Sequence, residues 1–159
     1  MLGGAVQTAT AALANMHLFR GLVPEALERI AAIASQESYG VGHFVFREGE
    51  VGDKLYLILE GKVRISRQLS GMGEEALAIL GVGEAFGEMS LIDDTPRSAD
   101  ARVHENVKLL VITREAFEDL LFIHKDLAFE ILWNFIKTLS GRLREANDKM
   151  AFMTMTGRF

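Results

Sequence analysis

One stretch of this 159-residue sequence, residues 86–99, carries more chemical information than any other: FGEMSLIDDTPRSA. Gly87 leaves a strand and lets the backbone approach a ligand closely. Residues 88–92 predict about one turn of helix, whose N-terminal N–H groups attract an anion. Arg97 adds a planar, permanently charged donor group suited to a phosphate. The stretch by itself therefore predicts a site for an anion.

Two further side chains of the stretch refine this prediction. Ser98 supplies a hydroxyl and a backbone N–H directly after Arg97. Glu88 is an acceptor that would repel a phosphate, unless it binds a neutral donor such as a ribose hydroxyl. We therefore expect the anion to be carried on a sugar.

The stretch resembles the phosphate-binding cassette of the cyclic-nucleotide-binding domain family. That pattern is approximately Phe-Gly-Glu-Leu/Met-Ala/Ser-Leu, a short spacer, and Pro/Glu-Arg-Ser/Thr/Ala-Ala. The resemblance extends upstream through FREGE at 46–50, GD at 52–53 and LYLI at 55–58 to Gly61. It covers residues from about 18 to 150 and is nearest to the sensor domain of bacterial catabolite-activator-type regulators.

The fold that this resemblance implies is mainly β with flanking helices. It is an eight-stranded antiparallel jelly roll with an N-terminal helix and a long C-terminal helix. Glycine-punctuated apolar segments independently predict short strands of an antiparallel sandwich or barrel, at 44–46, 55–59, 63–65, 77–80, 99–103 and 107–112. Helical spacing predicts a helix from about Pro24 to Ile33 and two more at about 114–123 and 126–150.

The resemblance also implies roles for individual residues. Arg97 is similar to the arginine that pairs with the cyclic phosphate, and Glu88 to the glutamate that accepts from the ribose 2′-hydroxyl. Candidate base contacts lie near the end of the long helix, at Ala146 and Asn147. The other implied ligand-binding residues lie in the cassette, and several of them act through backbone N–H groups: Gly87, Met89, Ser90, Ser98 and Ala99.

The long helix carries two apolar stripes. One is a heptad seam, which is typical of a coiled coil, and its members are Phe129, Leu132, Ile136, Leu139, Leu143, Ala146 and Met150. The other covers only the first half, through Leu127, Ile131 and Phe135, and suits packing on its own domain. We predict a homodimer through residues 129–150; the alternative is that the whole helix packs within one protomer.

We divide the chain into three segments. Residues 18–125 are the predicted cyclic-nucleotide-binding β-roll domain, and 126–150 its dimerisation helix. Residues 151–159 form a tail that resembles the regulators' hinge but is too short for a helix-turn-helix. We expect no DNA binding by this chain alone, and the net charge of −5 argues against a broad nucleic-acid surface.

Composition excludes several classes of site. The chain has no cysteine, which excludes a disulfide scaffold, a thiolate zinc site and a cysteine nucleophile. Its four histidines have no metal-ligating spacing. No apolar run is long enough for a membrane span, and the N-terminus lacks the basic start of a secretory signal. We predict a cytoplasmic protein that is not an enzyme, without metal, cofactor or membrane association.

The predicted function is a dimeric ligand sensor that binds a cyclic nucleotide and signals through its C-terminal helix. The expected ligand is cAMP, and the hydroxyl of Ser98 leaves cGMP open because it could bond a guanine amino group. One alternative is a sensory fragment of a DNA-binding transcription regulator. Two others are a jelly-roll metalloenzyme and a degenerate domain that binds no ligand.

Overall fold

The computed structural model describes residues 2–157, in which four α-helices flank one six-stranded antiparallel sheet. The helices are α1 (Leu2–Ala14), α2 (Pro24–Ile33), α3 (Arg114–Ile123) and α4 (Lys125–Thr156). The strands are β1 (Ser35–Tyr39), β2 (Phe44–Phe46), β3 (Lys54–Leu69), β4 (Gly73–Leu80), β5 (Ala85–Phe86) and β6 (Asp100–Thr113). Short 3-10 turns occupy His17–Phe19 and Glu88–Leu91. The prediction of a mainly β chain with flanking helices is confirmed.

Hydrogen bonding gives six strands in the described residues, where the family resemblance implied eight. The predicted strands 55–59 and 63–65 are parts of the single strand β3, and the predicted strands 99–103 and 107–112 fall almost entirely within β6. The sheet order is β1-β6-β3-β4, with β2 on β6 and β5 on β3. Strands β3 and β6 therefore form the centre of the sheet.

A bend near Gly61 allows each of these strands to stay continuous. The pairing of β3 with β6 shifts register between Ile58 and Val63. Gly61 has a φ of 83°, and a Cβ added to it would lie 2.0 Å from the carbonyl oxygen of Asn106. Because only glycine permits this approach, the two strands can bend together without separating.

Two apolar clusters make up the core. One joins the helices to the sheet and includes Phe19, Ile30, Leu55 and Ile131. The other lies within the sheet and contains the aromatic residues Phe46, Tyr56 and Phe86. The rings of Tyr56 and Phe86 are stacked with centroids 5.0 Å apart. This second cluster supports the cavity described below.

The two halves of α4 differ in burial. The shorter apolar stripe, Leu127, Ile131 and Phe135, is buried against the rest of the chain, as predicted. Asn134 is buried beside it, and its Nδ2 donates to the carbonyl oxygens of Leu18 (3.1 Å) and Arg20 (2.9 Å). After Phe135, no described side chain of α4 is buried. The first half of α4 is therefore anchored to its own protomer.

The long helix continues beyond its predicted end. It reaches Thr156 instead of residue 150, so most of the predicted tail (151–159) is helical. Gly157 adopts the left-handed conformation (φ 64°) that commonly ends a helix. Arg158 and Phe159, the last two residues of that tail, lie outside the described residues. Among the helices that the structure describes, none combines the length and apolar character that crossing a membrane requires.

The anchoring role of Asn134 is testable by its removal. Asn134→Ala leaves the carbonyl groups of Leu18 and Arg20 without their donor, and an unsatisfied buried polar group costs about 1–3 kcal/mol. We expect the free energy of unfolding of the ligand-free protein, measured in urea, to fall by that amount. Asn147→Ala, at an exposed position of the same helix, should change it by less than about 0.5 kcal/mol. Equal losses from both variants would contradict the anchoring role.

Candidate functional site

The predicted cassette residues line one cavity of about 380 Å³, which we call the cassette pocket. Gly87 joins β5 to the turn Glu88–Leu91 in the left-handed conformation (φ 77°). All seven residues predicted from the cassette lie around this cavity: Gly87, Glu88, Met89, Ser90, Arg97, Ser98 and Ala99. Apolar residues of the sheet complete the wall, among them Phe46, Ile65, Ala78 and Leu80.

Arg97 is the most enclosed charged side chain of the pocket, with only 7% of its surface exposed. Its Nη1 donates to the Oγ of Ser90 at 2.7 Å and to the carbonyl oxygen of Gly87 at 3.3 Å. Its Nη2 donates to the carbonyl oxygen of Lys54 at 3.0 Å. The guanidinium therefore lies among neutral acceptors at the base of the pocket.

The charge of Arg97 is not matched by an ion pair. Its guanidinium carbon lies 4.0 Å from the ring centroid of Phe46, and its Nε is buried without an acceptor in the described structure. No carboxylate of residues 2–157 forms a salt bridge with it, although Asp53, Glu50 and Glu88 are near enough to favour its charge. Burial is the largest influence and lowers the pKa of Arg97 below its ordinary value. A buried cation with an unused donor is an arrangement that favours an anionic ligand.

Two glycines make room for this guanidinium. A Cβ on Gly52 would lie 2.3 Å from the Oγ of Ser90 and 2.4 Å from the Nε of Arg97. A Cβ on Gly87 would lie 2.6 Å from the Nη1 of Arg97. All three distances are shorter than any normal contact of a Cβ, so the position of Arg97 depends on the absence of side chains at these two sites.

Glu88 pairs with a residue of α4. Its Oε1 accepts a hydrogen bond from Nη1 of Arg142 in a salt bridge. Glu88 is largely enclosed, with 19% of its side chain exposed, whereas Arg142 is 55% exposed. Arg142 also lines the cassette pocket. The pair is thus a direct connection between the cassette and the distal half of α4.

Several details differ from the expectations. The N–H of Ser90 donates to the carbonyl oxygen of Gly87 within the turn, so in this structure it is not directed at a ligand. Leu91 is buried, whereas Met89 and Ile92 on the same segment are each 54% exposed. Ser98 is exposed and Ala99 is buried at the pocket wall.

The two candidate base contacts are not brought to the pocket in this protomer. Ala146 and Asn147 are exposed, and neither lines the cavity. Sequence reasoning in turn missed Phe46 and Arg142 as pocket residues. Arg142 lies beside the heptad seam, one helical turn before Ala146. This position was the sequence signal that could have identified it as a pocket residue. No group of three or more His, Asp and Glu side chains in the described residues is arranged to hold a metal ion.

The chain matches a known family over more than half of its length. Residues 36–124 match the family described as cyclic nucleotide-binding domain. The matched segment contains all seven cassette residues and the acceptors of Arg97, whereas Arg142 lies beyond it.

Relatives extend the similarity into α4. The chain is 41% identical over 137 residues to the cyclic AMP receptor protein of Thermus thermophilus, covering 86% of this chain and 62% of that protein. It is 32% identical over 144 residues to the CRP-like cAMP-activated global transcriptional regulator of Mycobacterium tuberculosis, covering 91% and 62%. The crystal structure of the Thermus thermophilus catabolite activator protein superposes with a TM-score of 0.78 at 37% identity, covering 87% of this chain and 63% of that one. The chain thus spans less than two thirds of these proteins.

The close packing around Arg97 predicts different effects on stability for two glycine substitutions. Gly52→Ala should displace Arg97 or Ser90 and lower the free energy of unfolding by about 1–3 kcal/mol, the usual cost of overpacking. Gly40→Ala is the matched control, because its nearest neighbour would be the Oδ1 of Asn106 at 3.9 Å. Urea unfolding of both variants should show a loss for Gly52→Ala only. Equal stability of the two variants would mean that the Arg97 guanidinium does not pack against Gly52.

Proposed function

Because the chain belongs to the cyclic nucleotide-binding domain family, we propose that the cassette pocket binds a cyclic nucleotide and that the chain is a ligand sensor, not an enzyme. The observation that carries this proposal is the buried guanidinium of Arg97, which lines the cassette pocket and has neutral acceptors but no ion-paired carboxylate among residues 2–157. A cyclic phosphate supplies one negative charge and oxygen acceptors, and it is small enough to reach the base of the pocket.

Glu88 is the proposed partner of the ribose. Its Oε1 is engaged by Arg142, and its second carboxylate oxygen remains able to accept from a 2′-hydroxyl. Arg142 places a positive charge beside this carboxylate, next to the proposed phosphate position. In this proposal Gly87 and Ser98 bind the sugar and the phosphate, and the backbone N–H of Ala99 faces the phosphate. Met89 and Ser90 contribute to ligand binding from the turn Glu88–Leu91.

The base would lie against the apolar wall formed by residues such as Ile65 and Leu80. These side chains offer no hydrogen bonds that distinguish one purine from another. Selection of the base therefore falls to other residues, and we retain Ala146 and Asn147 as candidates, reached by movement of α4 or supplied by a second copy. The likeness to a cyclic AMP receptor protein favours cAMP. The hydroxyl of Ser98 keeps cGMP as a ligand to be tested.

The proposed assembly is a homodimer through residues 129–150. Six of the seven seam residues, all but Ala146, are large apolar side chains left at least 39% exposed in the single protomer. Association of two copies would remove this surface from water.

We interpret the six-stranded sheet, with its two bent central strands, as the jelly roll expected for the family. Signalling would run from the cassette to α4 through the pair Glu88–Arg142.

In a second candidate function, the same ligand site belongs to a larger regulatory protein. The likeness to a cAMP-activated transcriptional regulator favours a sensory part of a DNA-binding regulator. In either case we propose residues 18–125 as the ligand-binding domain and 126–150 as its dimerisation helix, in a cytoplasmic protein. We also propose no DNA binding by this chain alone, because its net charge of −5 disfavours a nucleic-acid surface.

Calorimetry with cAMP, cGMP and 2′-deoxy-cAMP tests the ligand and its two anchors. Arg97→Gln should weaken cAMP and 2′-deoxy-cAMP by similar large factors, because both carry the phosphate. Breaking a buried charge-assisted contact costs about 2–5 kcal/mol, or ~30- to 4,000-fold in affinity. Glu88→Gln should weaken cAMP but change 2′-deoxy-cAMP little, since the deoxy ligand has no 2′-hydroxyl to lose.

Matched controls are available among exposed strand residues that do not line the pocket. Arg67→Gln and Glu60→Gln change residues that form exposed salt bridges with Glu48 and Lys108, away from the pocket. Both should leave every affinity unchanged. If Glu88→Gln weakens the two ligands equally, the ribose assignment is wrong. If the unmutated protein binds none of the three nucleotides, the proposed function itself is wrong.

The seam can be tested by introducing a charge. Leu143→Asp should convert the dimer to a monomer in light scattering, because it puts a carboxylate into an apolar interface. Val82→Asp is the control, since Val82 is equally exposed (67% against 63% for Leu143) but lies outside the seam. An unmutated protein that is monomeric at high micromolar concentration would rule out the seam as an interface.

A further inference from the structure

Arg114, the first residue of α3, joins three parts of the chain. Its Nε donates to the carbonyl oxygen of Ser90 at 2.6 Å. Its Nη2 donates to the carbonyl oxygens of Gly52, at 3.3 Å, and of Asp93. Its Nη1 pairs with the carboxylate of Asp94. One side chain thus holds the loop before β3 and both ends of the segment 90–94 against the start of α3.

The planar fork of an arginine is what makes this arrangement possible. Three backbone carbonyl groups from two separate loops are bound at once, and a lysine ammonium has no fixed geometry to match them. The positive charge also lies at the C-terminal end of the turn Glu88–Leu91, where cations interact favourably with the last carbonyl groups. The Arg114 side chain is 20% exposed, whereas that of Asp94 is 94% exposed. The carbonyl groups are therefore the main anchors, and the carboxylate is secondary.

Ser90 and Gly52 connect Arg114 to Arg97. The Oγ of Ser90 accepts from Arg97 at 2.7 Å, while the carbonyl oxygen of the same residue accepts from Arg114 at 2.6 Å. Gly52 packs directly against the Nε of Arg97, and its carbonyl oxygen is also bound by Arg114. Both residues that enclose the Arg97 guanidinium from this side are consequently held by Arg114.

We propose that Arg114 is a positioning residue that keeps Arg97 in the geometry required by the ligand and ties the cassette to α3. The inference rests on the proposed function of the cassette pocket. Arg114 does not line that pocket, so it acts through Ser90 and Gly52 and not by contact with the ligand. Because α3 leads directly into α4, the same side chain connects the cassette to the helix that carries Arg142.

The test compares Arg114→Gln, Arg114→Lys and the control Asp94→Asn, all in the full chain. Calorimetry with cAMP should show that Arg114→Gln weakens binding by about 10- to 100-fold, the loss found when the outer partner that orients a metal ligand is removed. Arg114→Lys should recover only part of this loss. Asp94→Asn should bind as the unmutated protein does. When Arg114→Gln is added to Arg97→Gln, the affinity for cAMP should fall little further, because the side chain that Arg114 positions is already absent.

Hydrogen exchange of the ligand-free protein gives an independent readout. Arg114→Gln should accelerate exchange of the Ser90 amide, which donates to Gly87, and of the Arg97 amide, which donates to Glu50 at 2.8 Å. The amides of β1 should keep their rates, which separates local positioning from a general loss of stability.

Two results would overturn the proposal: full cAMP affinity in Arg114→Gln, or acceleration that is the same in β1 as at Ser90. If the unmutated protein binds no cyclic nucleotide, the proposed function fails, and the exchange rates still decide whether Arg114 holds the cassette.

Discussion

The buried guanidinium of Arg97 is the constraint that the rest of the site satisfies. A cation removed from water is costly unless its donors find acceptors and its charge is balanced. The acceptors come from Lys54 in β3 and from the turn that follows Gly87, and the ring of Phe46 in β2 covers one face. Segments that are far apart in the sequence must therefore pack together before the Arg97 side chain can take this position.

The local part of the site was predictable because it is continuous in sequence. A glycine followed by a short acidic turn, and an arginine shortly after, place a close backbone approach and a fork of donors in one loop. The distant part was not predictable in this way. Arg142 meets Glu88 from 54 positions away, and spacing within either segment does not indicate that the two residues face each other. Likewise, Phe46 is recognisable as a strand residue, but its position under a guanidinium depends on the pairing of β2 with β6.

The fold shows the same division between local pattern and tertiary pairing. Alternating apolar residues correctly indicated strands on both sides of Gly61, but the same glycine suggested a turn where the structure has a bend within β3. Strand β1 (Ser35–Tyr39) has few apolar residues because it pairs along one edge of β6, and backbone hydrogen bonds there need no apolar pattern. The alanines of α1 (Leu2–Ala14) favour a helix, but the segment lacks the stripe of large apolar residues and the charged face that mark an amphipathic helix, so its sequence did not indicate one.

The unequal attachment of α4 has a consequence for its thermal motion. In a single protomer the first half is held by buried apolar side chains and by Asn134, whereas the distal half meets the cassette through Arg142. An ion pair with one partner this exposed contributes about 0–1 kcal/mol, which is close to the thermal energy at room temperature. We therefore expect the distal half to detach readily from the cassette in a single protomer, and we expect added salt to favour detachment by screening the pair.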